Sequence, residues 1–273
     1  MKNKIVKKLV MLSMIGAVSV SLIACGNKSE NKDGVEAIKE NGKVVVGLSA
    51  DYAPYEFHAV VNGKDETVGF DVELAKEVAK DLDVELEIKE MEFDALIGAL
   101  QAGQIDMIIS GMNPDEERKK QIDFSEIYYE SKHGVLVSKD ETEKYKKVED
   151  LNGKKIGAQL GSTQQKIVES EIKADSTTLL PNVNNLVLEL KSKKVDAVVT
   201  EEPVAKMAMK SNPELALSDI KFEAEGGGNA VGVKKNSGKL VEQINSTIKR
   251  LQDSGELDKF IMDANDLAAQ NQQ

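Results

Sequence analysis

The chain has 273 residues, 41% of them apolar and 30% charged, with a formal net charge of −11, no tryptophan and one cysteine. That length holds one large or two medium domains, the acidic balance argues against a nucleic-acid partner, and a lone cysteine excludes an internal disulfide. His58 and His133 stand in no nucleophile motif or metal-ligand spacing, so neither a catalytic residue nor a metal or other cofactor is expected.

The amino terminus reads as an export signal. Lys2, Lys4, Lys7 and Lys8 precede an uncharged apolar run from Leu9 to Ala24, 16 residues long. A bilayer span needs about 20. The run ends in Leu22-Ile23-Ala24-Cys25, which resembles the lipobox of bacterial lipoproteins and implies cleavage after residue 24 and lipidation of Cys25. An ordinary secretory signal followed by an incidental thiol is the alternative. Residues 25–34 are polar and read as a flexible tether. Without residues 1–24, which hold four lysines, 32 basic and 47 acidic side chains remain, a balance of −15.

Lys43 to Ser49 predicts a buried strand, and Val84 to Ile88 a half-exposed one. Between them Val72, Ala75, Val78, Ala79 and Leu82 share a helical face, with Asp71 placed to cap it. Phe93, Leu96, Ile97 and Leu100 repeat the helical spacing, Gly103 stops it, and residues 105–109 read as a strand. Such alternation predicts a mostly parallel sheet covered by helices. The unit then recurs: Leu96, Leu100, Ile105 and Asp106 match Leu186, Leu190, Val195 and Asp196 at a constant offset of 90 residues. More loosely, the strand carrying Gly47 matches the one carrying Gly157. Two similar α/β lobes follow.

Ligands of open α/β sheets bind at the carboxyl ends of strands, where helix N-termini point. Those ends are Ser49 and Ser110 to Asn113 in the first lobe, and Gln159 to Thr163 and Thr200 to Glu202 in the second. Asn113, Pro114 and Glu116 suit a capped helix start, and Ser162 to Gln165 forms another capping box. Arg118, the only arginine before residue 250, sits one turn into the first of these helices. A helix N-terminus and a guanidinium suit a carboxylate; the other reading is a surface helix with Arg118 paired to Asp115. Arg118 with Glu201 in one cleft would suit a zwitterion.

The segments SADYAPYEF, GFDVELAKEVAKDL, MEFDALIGALQAGQIDMIISGM, ERKKQIDFSEIYY, KKIGAQLGST and KVDAVVTEEPVA occur in this order. Together they resemble the bacterial family 3 solute-binding proteins, receptors of ABC importers for polar amino acids. The resemblance implies the type II periplasmic-binding-protein fold: two α/β lobes joined by two hinge strands, with the ligand between. Lobe 1 would comprise residues 35–130 and 227–265, lobe 2 residues 131–226, and residues 266–273 a disordered tail. Crossings would fall near Tyr128–Gly134 and Phe222–Gly227, with Gly226 to Gly228 free to take unusual backbone angles.

By the same resemblance, Arg118 clamps the ligand α-carboxylate, helped by Asn113 and the amide of Thr163, and Glu201 holds the α-ammonium. Tyr52 and Phe93 sandwich the ligand, Ser110 and Gly111 meet its ammonium and side chain, and Gln159 and Ser49 read the side chain. For Phe93 the alternative is core packing, and for Glu201 a surface loop. Ser49 departs from an aspartate used by basic-amino-acid binders of the family, and Glu201 is one methylene longer than the usual aspartate. Glutamine, asparagine or arginine are the ligands this favours, arginine then being held by Glu56 or Glu92. The expected partners are such a polar amino acid and a membrane permease, the protein being a monomer attached outside the cytoplasm through Cys25, in a Gram-positive source. An enzyme on the same fold, such as a dehydratase, is the alternative function.

Overall fold

The computed structural model describes residues 34–270. The signal, Cys25 and all of the tether but Gly34 lie outside these residues. In the first half of the chain α1 (Gly34–Asn41) leads into β1 (Lys43–Leu48), β2 (Asp51–Tyr52), β3 (Glu56–Val61), β4 (Lys64–Val68), α2 (Phe70–Leu82), β5 (Glu85–Glu90), α3 (Leu96–Ala102), β6 (Met107–Ile108), α4 (Glu116–Gln121) and β7 (Ile122–Tyr129). Then follow β8 (Lys132–Ser138), β9 (Lys155–Gln159), α5 (Thr163–Glu171), β10 (Ser176–Leu180), α6 (Val183–Lys191), β11 (Ala197–Glu201), α7 (Glu202–Ser211) and β12 (Leu215–Glu223). The chain finishes with β13 (Asn229–Lys234), α8 (Gly238–Ser254) and α9 (Glu256–Gln270).

Two five-stranded sheets carry the fold, in the orders β5-β1-β6-β13-β7 and β10-β9-β11-β8-β12, and β2-β3-β4 forms a small third sheet. The first sheet thus takes β13 from the far end of the chain. β1 buries Val44, Val46 and Leu48 as an interior strand covered on both faces. The expectation of mostly parallel sheets is corrected: β13 runs antiparallel to β6 and β7, and β8 antiparallel to β11 and β12. These four pairings involve the strands flanking the two crossings, where the chain re-enters a sheet from the other side.

The recurrent unit has a physical basis. In each sheet the repeat's aspartate is pinned to the neighbouring strand: Asp106 accepts from the Val45 N–H at 2.8 Å, and Asp196 from the Lys155 N–H at 2.8 Å. The first leucine of each unit packs on the facing strand's glycine. A Cβ on Gly47 would lie 3.1 Å from Leu96, and one on Gly157 3.1 Å from Leu186.

Three local expectations change. The cap of α4 is Asp115, which accepts from the N–H groups of Glu117 and Arg118 at 2.9 and 2.8 Å; the amide of Asn113 is engaged elsewhere. Asp71 does not cap α2, which starts after Gly69; its carboxyl is fully buried and turned away from the helix end. The tail expected from residue 266 continues as helix to Gln270, because Ala268 is buried in a cluster with Phe57, Ala59, Val68 and Met207.

At the crossings β7 gives way to β8 after Tyr129, and β12 to β13 after Glu223. Gly226, Gly227 and Gly228 have φ of 78°, 89° and 153°. At Gly228 a Cβ would lie 2.2 Å from the Tyr129 carbonyl oxygen, so glycine is required there.

Candidate functional site

The carboxyl ends of β1, β6, β9 and β11 converge with the N-terminus of α5 on a buried polar cluster. Arg118 is central to it and 5% exposed. Its Nη1 donates to the Asn113 carbonyl at 2.9 Å, its Nη2 to the Gly161 carbonyl at 2.9 Å, and its Nε lies 3.5 Å from Asp115. The Asp115 pairing read as a surface feature therefore exists, but on a buried side chain that also reaches elements of the second sheet. The guanidinium stands 5.3 Å from the centre of the Phe93 ring. Phe93 also packs with Leu96, Leu100 and Met112, so core packing and proximity to Arg118 hold together. Burial draws the Arg118 pKa down, opposed by Asp115, Glu225 and Glu201. The remaining guanidinium N–H donors suit a carboxylate.

Ser162 caps α5 by accepting from the Gln165 N–H at 3.1 Å, while the Gln165 side chain accepts from the Gly161 N–H at 2.8 Å. This reciprocal cap fixes Gly161 beside Arg118 and sets Thr163 as the first residue of the helix. The Thr163 hydroxyl donates to Asn113 Oδ1 at 2.8 Å, and Asn113 Nδ2 donates to the Gly228 carbonyl at 3.0 Å and to Glu201 at 3.3 Å.

Glu201 ends β11, fully buried rather than on a surface loop. It accepts from the Tyr55 hydroxyl and from Asn229 Nδ2 at 3.1 Å. Burial raises its pKa, and the hydrogen bonds from Tyr55, Asn229 and Asn113 counter that rise. Tyr52 is buried 5.4 Å from the Tyr55 ring centre, and its hydroxyl accepts from Gln164 at 3.2 Å. Gln164 also meets Nδ1 of His133, whose pKa falls to about 4 through burial and the nearby Arg118 charge.

Ser49 donates its hydroxyl to Asp51 at 2.9 Å and its N–H to Ser110 Oγ at 3.0 Å. Asp51 in turn accepts from the Val183 N–H, the first of α6, at 2.5 Å. Ser110 donates to Glu56 at 2.5 Å. Gly111, with φ of 52°, donates its N–H to Asp71 at 2.8 Å, and its carbonyl accepts from Asn229 at 2.6 Å. Gln159 is buried, but its side chain donates to the Pro181 carbonyl at 3.0 Å, within its own sheet's surroundings. Glu92 is exposed, whereas Glu56 is fully buried.

Sequence reasoning gave no site role to Tyr55, Asp71, Gln164 or Asn229. Tyr55 lay within SADYAPYEF and Asn229 directly after the three glycines, so position along the chain hinted at both. Asp71 was misread, since an acid in a first helical turn ordinarily serves the helix dipole. Among the described residues there is no group of three or more His, Cys, Asp or Glu arranged to hold a metal ion.

The profile of the bacterial extracellular solute-binding proteins, family 3, matches residues 44–263. The arginine-binding extracellular protein ArtP of Bacillus subtilis is 38% identical over 260 residues, covering 93% of this chain and 96% of its own. The ABC transporter glutamine-binding protein GlnH of the same organism is 33% identical over 267 residues, with the same coverage of 93% and 96%. Among solved structures, the amino-acid ABC transporter substrate-binding protein AbpA of Streptococcus pneumoniae, bound to L-arginine, superposes with a TM-score of 0.83 at 45% identity. That match covers 86% of this chain and 99% of AbpA.

Proposed function

The chain belongs to the bacterial extracellular solute-binding proteins of family 3, with their type II periplasmic-binding-protein fold, and from that premise we propose that it captures L-arginine for an ABC importer. The observation that carries the choice of ligand is the charge of the buried cluster. Among the described residues, Asp51, Glu56, Asp71, Asp115 and Glu201 are buried acids, and Arg118 is the buried cation, the buried His133 being kept neutral by a pKa lowered to about 4. Asp115 is paired with Arg118 and Lys166, whereas burial disfavours the charged forms of the other four acids, and a cationic side chain would favour those forms where a neutral one would not. The arginine bound to AbpA and the arginine-binding ArtP support the same reading. Glutamine, asparagine and arginine were all open from the sequence, and the buried acids support arginine among them.

In this proposal Arg118, Asn113 and the Thr163 amide hold the α-carboxylate, and Glu201 holds the α-ammonium. Tyr52 and Phe93 flank the side chain, Ser49, Ser110 and Gly111 line its path, and Gln159 supports the wall from behind. Lobe 1 (35–130 and 227–265) and lobe 2 (131–226) hinge at the crossings, and closure is favoured by the contacts the ligand makes only in the closed form. The protein acts as a monomer outside the cytoplasm, anchored through a lipid on Cys25, and hands its ligand to a permease. The relatives are substrate-binding components of transporters, and no enzymatic role is proposed.

Titration calorimetry with L-arginine, L-citrulline and L-glutamine tests the reading. Arginine should bind at least tenfold more tightly than citrulline, its neutral isostere, and Arg118→Ala should weaken arginine by about 100-fold, as expected for a buried charge partner removed at about 3 kcal/mol. Equal affinity for arginine and citrulline, or unchanged binding by Arg118→Ala, would contradict it.

A further inference from the structure

Helix α5 carries a lysine one turn past its start. Lys166 stands three residues after Thr163, so both side chains leave the helix on one face. Its Nζ donates to Asp115 Oδ2 at 3.0 Å and to Glu117 Oε2 at 2.7 Å, tying α5 to the first turn of α4. The two arms are unequal. The Glu117 side chain is 71% exposed, so water screens that pair, whereas Asp115 is 0% exposed. Asp115 caps α4 through Oδ1. Its Oδ2 faces two cations, Lys166 at 3.0 Å and Arg118 Nε at 3.5 Å. Burial pushes the Asp115 pKa up, but the N–H and charge of Arg118, with Lys166, outweigh it and hold the carboxyl below its ordinary value.

Arg118 has a single positive charge. With an amino acid in the cleft it faces two carboxylates, that of Asp115 and that of the ligand, and a charge shared between two anions holds each less firmly. We propose that Lys166 is a positioning residue for carboxylate recognition: as the counter-ion of Asp115 it leaves the Arg118 guanidinium to the ligand. This rests on the reading of the cleft as an amino-acid site between the two lobes. Asp115 is not dispensable, because its Oδ1 accepts from the Glu117 and Arg118 N–H groups and sets the start of α4. A buried carboxylate there needs a cation of its own. The other acids acting on Arg118 do not compete in the same way: Glu225 is exposed, and Glu201 is bonded to Tyr55 and Asn229. One helix of lobe 2 thus delivers two groups as the lobes close, the Thr163 amide to the ligand and the Lys166 ammonium to Asp115. Opening withdraws Lys166 and leaves Asp115 to Arg118 alone. The grip of Arg118 on the ligand is therefore strongest in the closed form, which is the differential contact that closure requires.

The test is a double-mutant cycle read by calorimetry and stopped-flow binding of L-arginine. Lys166→Met, which keeps the length and loses the charge, should weaken arginine about fivefold, chiefly through faster dissociation. Lys166→Arg, which restores the charge, should stay within about twofold of wild type. In the Asp115→Asn background asparagine still serves as a helix cap, but no second carboxylate competes for Arg118. Removing Lys166 there should change arginine affinity by less than about twofold. Without ligand, a carboxyl-carbon NMR titration should give Asp115 a higher pKa in Lys166→Met than in wild type. Wild-type affinity in Lys166→Met would overturn the proposal, and so would Lys166→Arg as weak as Lys166→Met. The same loss in the Asp115→Asn background, as a merely structural role would give, or an Asp115 pKa indifferent to Lys166, would also overturn it. If the wild type binds no amino acid at all, the functional reading fails instead, and the titration still judges the Lys166–Asp115 pair.

Discussion

Arg118 is oriented by the protein itself: two backbone carbonyls, the Asp115 carboxylate and the Phe93 ring fix its plane. A group preorganised in this way offers a carboxylate aligned donors at little entropic cost. Its exceptional position in a lysine-rich chain was visible in the sequence. Its burial was not, because that depends on Gly161, 43 residues further on. His133 shows a second effect at this scale. It is fully buried beside Gln164 with its pKa lowered to about 4, against an ordinary value near ~6.5. The folded chain then binds fewer protons than the unfolded chain between those values, so this contribution to stability is lost as pH falls from about 6.5 through about 4. His133→Gln, which keeps a partner for Gln164, should lose less melting temperature than wild type between pH 6.5 and pH 4.5. Equal losses would show that His133 does not titrate in that range.

The recurrent helix-strand unit is a matter of elements. Its leucine spacing could be read from the sequence because a helix packing on a strand must repeat its apolar contacts. The recurring aspartate carried no obvious meaning until its partner strands were known: Asp106 satisfies Val45, and Asp196 satisfies Lys155. The two should differ in weight, since the Val45 contact is partly buried and the Lys155 contact exposed. An unpaired buried N–H costs about 1–3 kcal/mol, whereas water replaces the partner of an exposed one. Asp106→Ala should therefore destabilise the protein by about 1–2 kcal/mol and Asp196→Ala by less than about 1 kcal/mol, measured by urea unfolding. The reverse order would mean that the aspartates act otherwise. Asp71 and the tail were misjudged for a related reason. An acid in a first helical turn and an alanine-rich, polar terminus each look solvent-facing until another element covers them, as Met207 and Phe57 cover Ala268.

Across the whole molecule, direct bonds tie elements of the first sheet to those of the second. Arg118 reaches Gly161, Asn113 reaches Thr163, Asp51 reaches the start of α6, and Lys166 reaches Asp115. The exchange of β13 into the first sheet makes both crossings part of one scaffold, and the left-handed glycines stand where the second crossing passes Tyr129. This arrangement was foreseeable only through resemblance, since no periodicity tells which sheet a strand after residue 226 will join. On the function proposed above, the two sheets present a guanidinium and a buried carboxylate to opposite ends of one amino acid. The most direct measurement is a crystal structure of the complex with L-arginine. The account predicts the α-carboxylate on Arg118 and the Thr163 amide, the α-ammonium on Glu201, and the side chain between Tyr52 and Phe93. A ligand bound away from Arg118 and Glu201, or held with its carboxylate turned from the guanidinium, would contradict it.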